Sequence, residues 1–443
     1  MKIKLSDSFT YKELLRFTFP TVIMMVFISV YGVVDGFFVS NYAGKTAFAA
    51  INLIMPFVMI LGGMGFMIGT GGTALVSKVM GEGDKERANK LFSMMILFTL
   101  VLGELLSLIG IALMRPISVW LGATPEMLDD CVLYGRIVVG FNAFFMLQNV
   151  FQSFFTAAER PKLGLAVTIA AGLTNMILDY LFVGVFGWKV AGAAVATGLS
   201  QFVGSIIPLI YFILPNGSRL RLTMSRLEVR PILAACANGS SELMSNISSS
   251  IVGVMYNFQL MRLIGEDGVS AFGVLMYVQF IFTAVYFGYT TGASPIISYH
   301  YGAKNPSEIK NLLKKSVVLM AVSGVVLTGA AMLMSPLLSQ IFVGYDAELK
   351  KLTEHAFLVY SINFVIAGYN IFASAFFTAL NNGAVSAAIS FIRTLVFQVA
   401  AVLLLPLVLG NDGIWASIIV AELGTAVVST VFIYKKRYEY KYA

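Results

Sequence analysis

Charge is what this 443-residue chain has least of: Asp, Glu, Lys and Arg together make up 12% of it, about half the share in an ordinary soluble domain. With 58% hydrophobic residues, that shortage excludes a soluble globular protein and leaves an integral membrane protein. There are two cysteines, Cys131 and Cys236; they fall near opposite membrane faces, which argues against a disulfide and leaves the compartment open. His300 and His355 are too few and too scattered for a metal cluster. No G-x-x-x-x-G-K-[ST] run occurs, and "GGMGFMIGTGG" lies inside an apolar stretch rather than after a strand, so nucleotide binding is unsupported. A TVGYG filter loop and an arginine-rich voltage-sensing helix are both missing, which counts against a channel. Nothing points to an enzyme or to a bound cofactor.

What the chain does have is long apolar runs. Twelve of them can cross a hydrocarbon layer about 30 Å thick as helices: 14–39, 47–77, 91–114, 132–157, 163–186, 191–214, 232–260, 269–299, 315–338, 356–380, 385–409 and 413–434. The first follows Lys2, Lys4, Lys12 and Arg16 as a signal sequence would, but it is too long and lacks a small-residue cleavage site, so it is expected to be retained. Of the 30 Lys and Arg, six (Lys45, Arg115, Lys189, Arg262, Lys350 and Lys351) fall in loops on one side. Two, Arg136 and Arg393, lie within spans, and the rest share a side with both termini. The positive-inside rule therefore predicts a multi-pass protein of the cytoplasmic (inner) membrane with both termini cytoplasmic. The net charge of +7 reports topology and does not imply a nucleic-acid partner.

The chain also repeats itself. Shifted by about half its length, 43–84 aligns with 264–305, matching Gly44, Phe66, Gly71 and Gly81 to Gly265, Phe287, Gly292 and Gly302; "FFTA" at 154–157 returns at 376–379. A repeat of six spans keeps its orientation in the membrane, so the two halves form parallel repeats. The expected fold is an all-α membrane protein, with two pseudo-symmetric six-helix lobes around a central cavity. Residues 1–215 form the first lobe, with the cation site and substrate cavity; 216–231 form a basic cytoplasmic linker, and 232–443 form the second lobe. Rocking of two such lobes suits transport, although an old duplication by itself proves none.

Ionisable residues inside spans each cost about 2.5–3.5 kcal/mol at a helix centre and usually face a bundle interior or a wet cavity. Asp35 and Asp179, on the first and fifth spans, and Thr197, on the sixth, all lie about 24–27 Å from the termini-side boundary at 1.5 Å per residue, so they can meet. Tyr31 and Asn175 each precede an aspartate by four residues, which places each pair on one side of its helix. Such a cluster can bind a proton or Na+, or it can simply cap polar contacts between helices. The second half carries no echo of it: Tyr256 stands opposite Asp35, and Ala401 opposite Asp179. Glu242, in "NGSSELMSNISSS", is a possible second-lobe acid. Glu104 and Glu422 lack polar company and are expected to make structural contacts, and Arg393 could neutralise one of them. Pro20 interrupts the first span fifteen residues before Asp35 and is a candidate hinge. The fourth span, with "FNAFFMLQNVFQSFF", offers Met146, Asn149, Gln152 and Phe155 as substrate contacts, although Met and Phe at helical spacing more often pack than bind.

The chain resembles the multidrug and toxin extrusion (MATE) family over essentially its full length. The resemblance rests on Pro20 followed by "VDGFFVSNYAG", on "GEGDKERA", on "AAERPKLG" and on "NMILDYLFVGVFGWKVAGAAVAT". It implies two six-helix lobes around a V-shaped cavity and a first-lobe cation cluster made of Tyr31, Asp35, Asn175, Asp179 and Thr197. The implied activity is antiport, in which H+ or Na+ binds the cluster, bends the first helix and releases a lipophilic, often cationic, drug outward. The coupling ion would be the one non-protein requirement, and the exporter would work as a monomer in the bilayer. Another branch of the family uses acids on the seventh and tenth helices; 356–380 has none, so coupling is expected in the first lobe. The alternatives are a lipid-linked saccharide flippase of related fold and a sensor built on a transporter body.

Overall fold

The computed structural model describes residues 3–442, and every regular element among them is helical. Helices are what a chain in hydrocarbon must form, because each buried amide needs a partner within its own segment. The first half holds α1 (Tyr11–Phe38), α2 (Lys45–Gly81), α3 (Lys85–Trp120), α4 (Leu128–Gly140), α5 (Asn142–Ala157), α6 (Pro161–Asp179) and α7 (Lys189–Ile213). The second holds α8 (Val229–Leu263), α9 (Glu266–Gly302), α10 (Pro306–Val343), α11 (Ala347–Tyr360), α12 (Phe364–Ala379), α13 (Gly383–Phe391), α14 (Gln398–Leu409) and α15 (Asn411–Lys436). Short π-helical segments prolong α1 (Val39–Ala43) and α6 (Tyr180–Val185) and join α13 to α14 (Ile392–Phe397).

Ten of these helical runs are long and apolar enough to cross a membrane. The fourth expected span is a broken one, α4 and α5 meeting at 52° around Phe141, and it makes an eleventh. Helix α8 is 35 residues long, but its Asn238, Ser240, Ser241, Glu242, Ser245 and Asn246 dilute its hydropathy. With α8, the architecture is the twelve-helix, two-lobed one that the repeat predicts.

The repeat-matched glycines explain how the lobes meet. Gly81 of α2 lies so close to α9 that a Cβ would stand 2.0 Å from the Tyr299 carbonyl oxygen, while a Cβ on its counterpart Gly302 would stand 1.9 Å from that of Lys78. Nearly three turns deeper, Gly71 meets Ala235 and Gly239 of α8 in the same way, and Gly292 packs on the side chains of Thr18 and Thr21 of α1. Backbone touches backbone at Gly71, Gly81 and Gly302, and no larger residue fits there. All of them lie on the side that carries the chain termini. A single apolar core there runs through both lobes, including Phe92, Phe151 and Phe212 of the first and Tyr286, Phe372 and Phe376 of the second. Toward the far side the core divides into one cluster around Ile54, Tyr134 and Val190 and another around Tyr256, Leu275 and Trp415. The lobes are thus joined at the termini side and splayed at the far side.

The termini-side closure is reinforced by the segment before α1. Its Leu5 amide donates to Glu159 at the α5–α6 turn (2.8 Å), and its Phe9 amide donates to Glu308 of α10 (2.9 Å). Asn311 and Lys315 donate to the Phe9 carbonyl. Leu5 and Phe9 are buried. One strap of chain therefore spans both lobes. Arg219, from the segment between α7 and α8, pairs with Glu159 at 2.9 Å and lies over the Tyr299 ring of the other lobe.

Candidate functional site

Asp35 lies near the far-side end of α1, and Asp179 is the last residue of α6 before its π-helical segment. Such departures from the α-helix collect at functional positions, because they re-aim the residues beside them. Helices α1 and α6 approach closely at Gly172, where a Cβ would stand 2.5 Å from Phe27 and 3.1 Å from Tyr31. This packing lays Asp179 and Asn175 against the Asp35 carboxyl. Tyr31 lies beside Asp35 on its own helix.

Four of the cluster's oxygens lack a donor. Both carboxyl oxygens of Asp179, Oδ1 of Asp35 and Oδ1 of Asn175 are buried without a hydrogen-bond partner among the described residues. A carboxylate is acceptor-only, so two ionised carboxyl groups in contact can bond only by sharing a proton or a cation. Arg136, the basic residue on the neighbouring α4, donates to the Ile111 carbonyl (3.3 Å) at an exposed position instead. The buried oxygens fit a proton or an oxygen-seeking cation such as Na+.

A further group reaches the pair. Tyr134 of α4, buried in the first lobe's far-side core, lies within electrostatic range of both Asp35 and Asp179. Depth measured from the far side would have found it: Tyr134 stands three residues after Cys131 at the far-side start of its span, level with aspartates in that half of the membrane. Thr197 is half-buried on α7, and its carbonyl accepts from Ser200 (2.9 Å); among the contacts of the described residues, none joins its side chain to either carboxylate.

The second lobe holds a neutral counterpart. Tyr256, the repeat mate of Asp35, is buried, and its hydroxyl has no hydrogen-bond partner among the described residues. The charge in that lobe sits elsewhere and is paired: Arg393, in the π-helical segment between α13 and α14, donates to Glu422 at 2.6–3.1 Å, and Asn370 donates to the same carboxylate at 2.7 Å. Arg393 therefore neutralises Glu422. Glu104 makes no such contact among the described residues; it is exposed on α3. Glu242 is half-buried in α8, where its carbonyl accepts from Asn246 (3.0 Å).

The four α5 residues are deeply buried. Asn149 donates to the Gly62 carbonyl (3.1 Å), tying α5 to α2, and Met146 lies behind Gly65. Phe155 packs on Phe212, with ring centroids 5.6 Å apart. Gln152 differs, because its Oε1 has no partner among the described residues; Gln201 of the facing α7 and Asn142 of α5 share that property. Pro20 lies within a continuous α1 and lines a cavity at the termini-side end of the first lobe.

A family model described as MatE matches the chain twice, over residues 20–181 and 243–403. The chain belongs to the MatE family. The double match falls one to a lobe, as the internal repeat requires. Among curated MatE relatives, the multidrug export protein MepA of Staphylococcus saprophyticus is 25% identical over 82% of this chain and 81% of its own length. MepA of Staphylococcus aureus strain NCTC 8325 is 22% identical over 96% and 94%. A multidrug-resistance MATE transporter solved in an outward-facing conformation superposes with a TM-score of 0.93 at 21% identity, covering 98% of both chains. MATE structures described as straight and bent superpose at 0.92 and 0.90, each at 21% identity and covering at least 97% of either chain. The fold of this chain is the MATE fold.

Proposed function

We propose that the chain is a secondary multidrug exporter of the cytoplasmic membrane, with both termini cytoplasmic, that exchanges lipophilic, often cationic, compounds for H+ or Na+. The observation that carries this reading is the set of buried, donor-less oxygens of Asp35, Asn175 and Asp179 in one lobe of a two-lobed fold splayed at one end. Tyr31, Thr197 and Tyr134 complete the proposed site. The curated relatives named as multidrug export proteins support the substrate class.

In the proposed cycle the cation arrives from the splayed, outer side. Its charge replaces the repulsion between Asp35 and Asp179 with attraction, which draws α1 and α6 together and strains α1 at Pro20, where the missing amide frees the Arg16 carbonyl. Relatives solved in straight and bent forms are in keeping with a movable first helix. The shift of α1 would narrow the expected substrate space beside α5 and release the drug. Gln152 is the drug contact we favour, since its free acceptor oxygen suits a cationic amine, with Met146, Asn149 and Phe155 forming the wall behind it. Glu242 would attract cations from the second lobe. Residues 1–215 and 232–443 would rock about the 216–231 linker within a single monomer. A membrane potential adds about 2.3 kcal/mol per inward-moving charge per 100 mV.

Uptake of a fluorescent cationic dye into inverted membrane vesicles tests this reading, with H+ and Na+ gradients imposed separately. Gradient-driven accumulation that Asp35→Asn abolishes is the expected result. Accumulation unaffected by either gradient, or by Asp35→Asn, refutes coupling at this site.

A further inference from the structure

A cavity of about 840 Å³ opens at the termini-side end of the first lobe, between the start of α1, the start of α6 and the end of α7. It lies well away from the aspartates, and the proposed cycle does not use it. Three cationic side chains line it, Arg16, Arg160 and Lys162, together with an apolar wall that includes Phe17, Leu163 and Leu214. The acid at its rim, Glu159, is already committed to Arg219 (2.9 Å) and to the Leu5 amide. Arg160 donates through Nη2 to the Gly217 carbonyl (2.7 Å), while its buried Nε has no partner among the described residues. Arg16 and Lys162 are exposed.

We propose that this cavity binds an anionic phospholipid from the leaflet on the termini side. The volume falls in the range of about 300–1,000 Å³ that encloses small ligands. Three cations with their local acid paired off select a negative headgroup and repel a cationic drug. The apolar wall selects a molecule with acyl chains over free phosphate, which would leave that wall wet. Depth agrees: Arg16 to Pro20 are the second and third turns of α1, where a basic rim meets hydrocarbon and where basic pockets between spans hold lipid headgroups. The lipid would lie against Pro20, the turn of α1 whose hydrogen-bond ladder is broken.

The test is native mass spectrometry of the full-length protein from micelles containing equal amounts of phosphatidylglycerol and phosphatidylcholine. The wild type should retain phosphatidylglycerol preferentially. Arg16→Gln with Lys162→Gln should weaken that retention about thirtyfold, since each basic residue near an anionic surface is worth about 1 kcal/mol, or about fivefold. Ala166→Trp, which fills the cavity and leaves the charges, should weaken it as well. Lys12→Gln with Lys85→Gln, exposed charges outside the cavity, should leave it unchanged. Equal retention of both lipids, equal loss in the Lys12/Lys85 pair, full retention in Ala166→Trp, or displacement by inorganic phosphate would each overturn the proposal.

Discussion

Replacing Asp179 with Asn removes one of the two facing carboxylates without changing the shape of the site. Both Asp179 oxygens are buried and lack donors, and Asp35 lies against them. Two like unit charges about 4 Å apart repel by about 4 kcal/mol at an effective dielectric constant near 20. A proton or cation that binds between them relieves this repulsion and can shift an equilibrium between lobe arrangements by up to about a thousandfold. In Asp179→Asn the repulsion is absent from the start, so the leverage of the cation should fall toward unity. Spin labels on Thr46→Cys and Asp267→Cys, at the exposed far-side ends of α2 and α9, report the opening between the lobes. The wild-type distance distribution should shift with pH or Na+ concentration, and the Asp179→Asn distribution should stay fixed. A variant that retains the full cation-driven shift would refute the assignment of Asp179 to the coupling site.

Three further outcomes follow from the packing. Gly302→Leu forces a side chain into the Lys78 backbone, so it should cost about 1–3 kcal/mol by thermal unfolding and block transport, whereas Gly273→Ala, with open space around it, should do neither. Arg393→Leu leaves Glu422 buried (5% exposed) without its partner and should destabilise the protein by about 3–5 kcal/mol; Arg393→Leu with Glu422→Leu should recover most of that loss in the same melting assay. Glu308→Gln weakens the strap's charged hydrogen bond to Phe9, worth about 1.5–3 kcal/mol, so cysteine labelling should find the termini-side closure open more often.

Much of this was legible in the sequence because hydrocarbon imposes simple rules. Apolar length gave the spans, and even the polar α8 was found from its length and position. The repeat gave the lobes, and its matched glycines proved to be the crossings where the lobes touch. Counting residues by depth brought Asp35 and Asp179 together, because helical rise is nearly constant. The same count, run from the termini side, missed Tyr134, which lies level with the aspartates only when depth is measured from the far side; aromatic residues in a span usually pack, so nothing else marked it out. Periodicity also could not show that α5 is buried on nearly every side, its apolar and amide residues packing against α2, α3 and α7. The break at Phe141 went unseen although Gly140 stands beside it, because an isolated Gly within an apolar run is tolerated in a helix and does not by itself mark a break.

If Asp35 and Asp179 hold the coupling ion, as proposed, ion and drug must exclude one another. Linkage requires this exclusion to be reciprocal, so saturating drug must expel the ion. The most direct measurement is the proton or Na+ released when a cationic drug is added to purified protein in weakly buffered detergent. The wild type should release about one ion per drug bound, and the Asp35→Asn, Asp179→Asn double variant none. Undiminished release by the double variant, or none by the wild type with either ion, would contradict it.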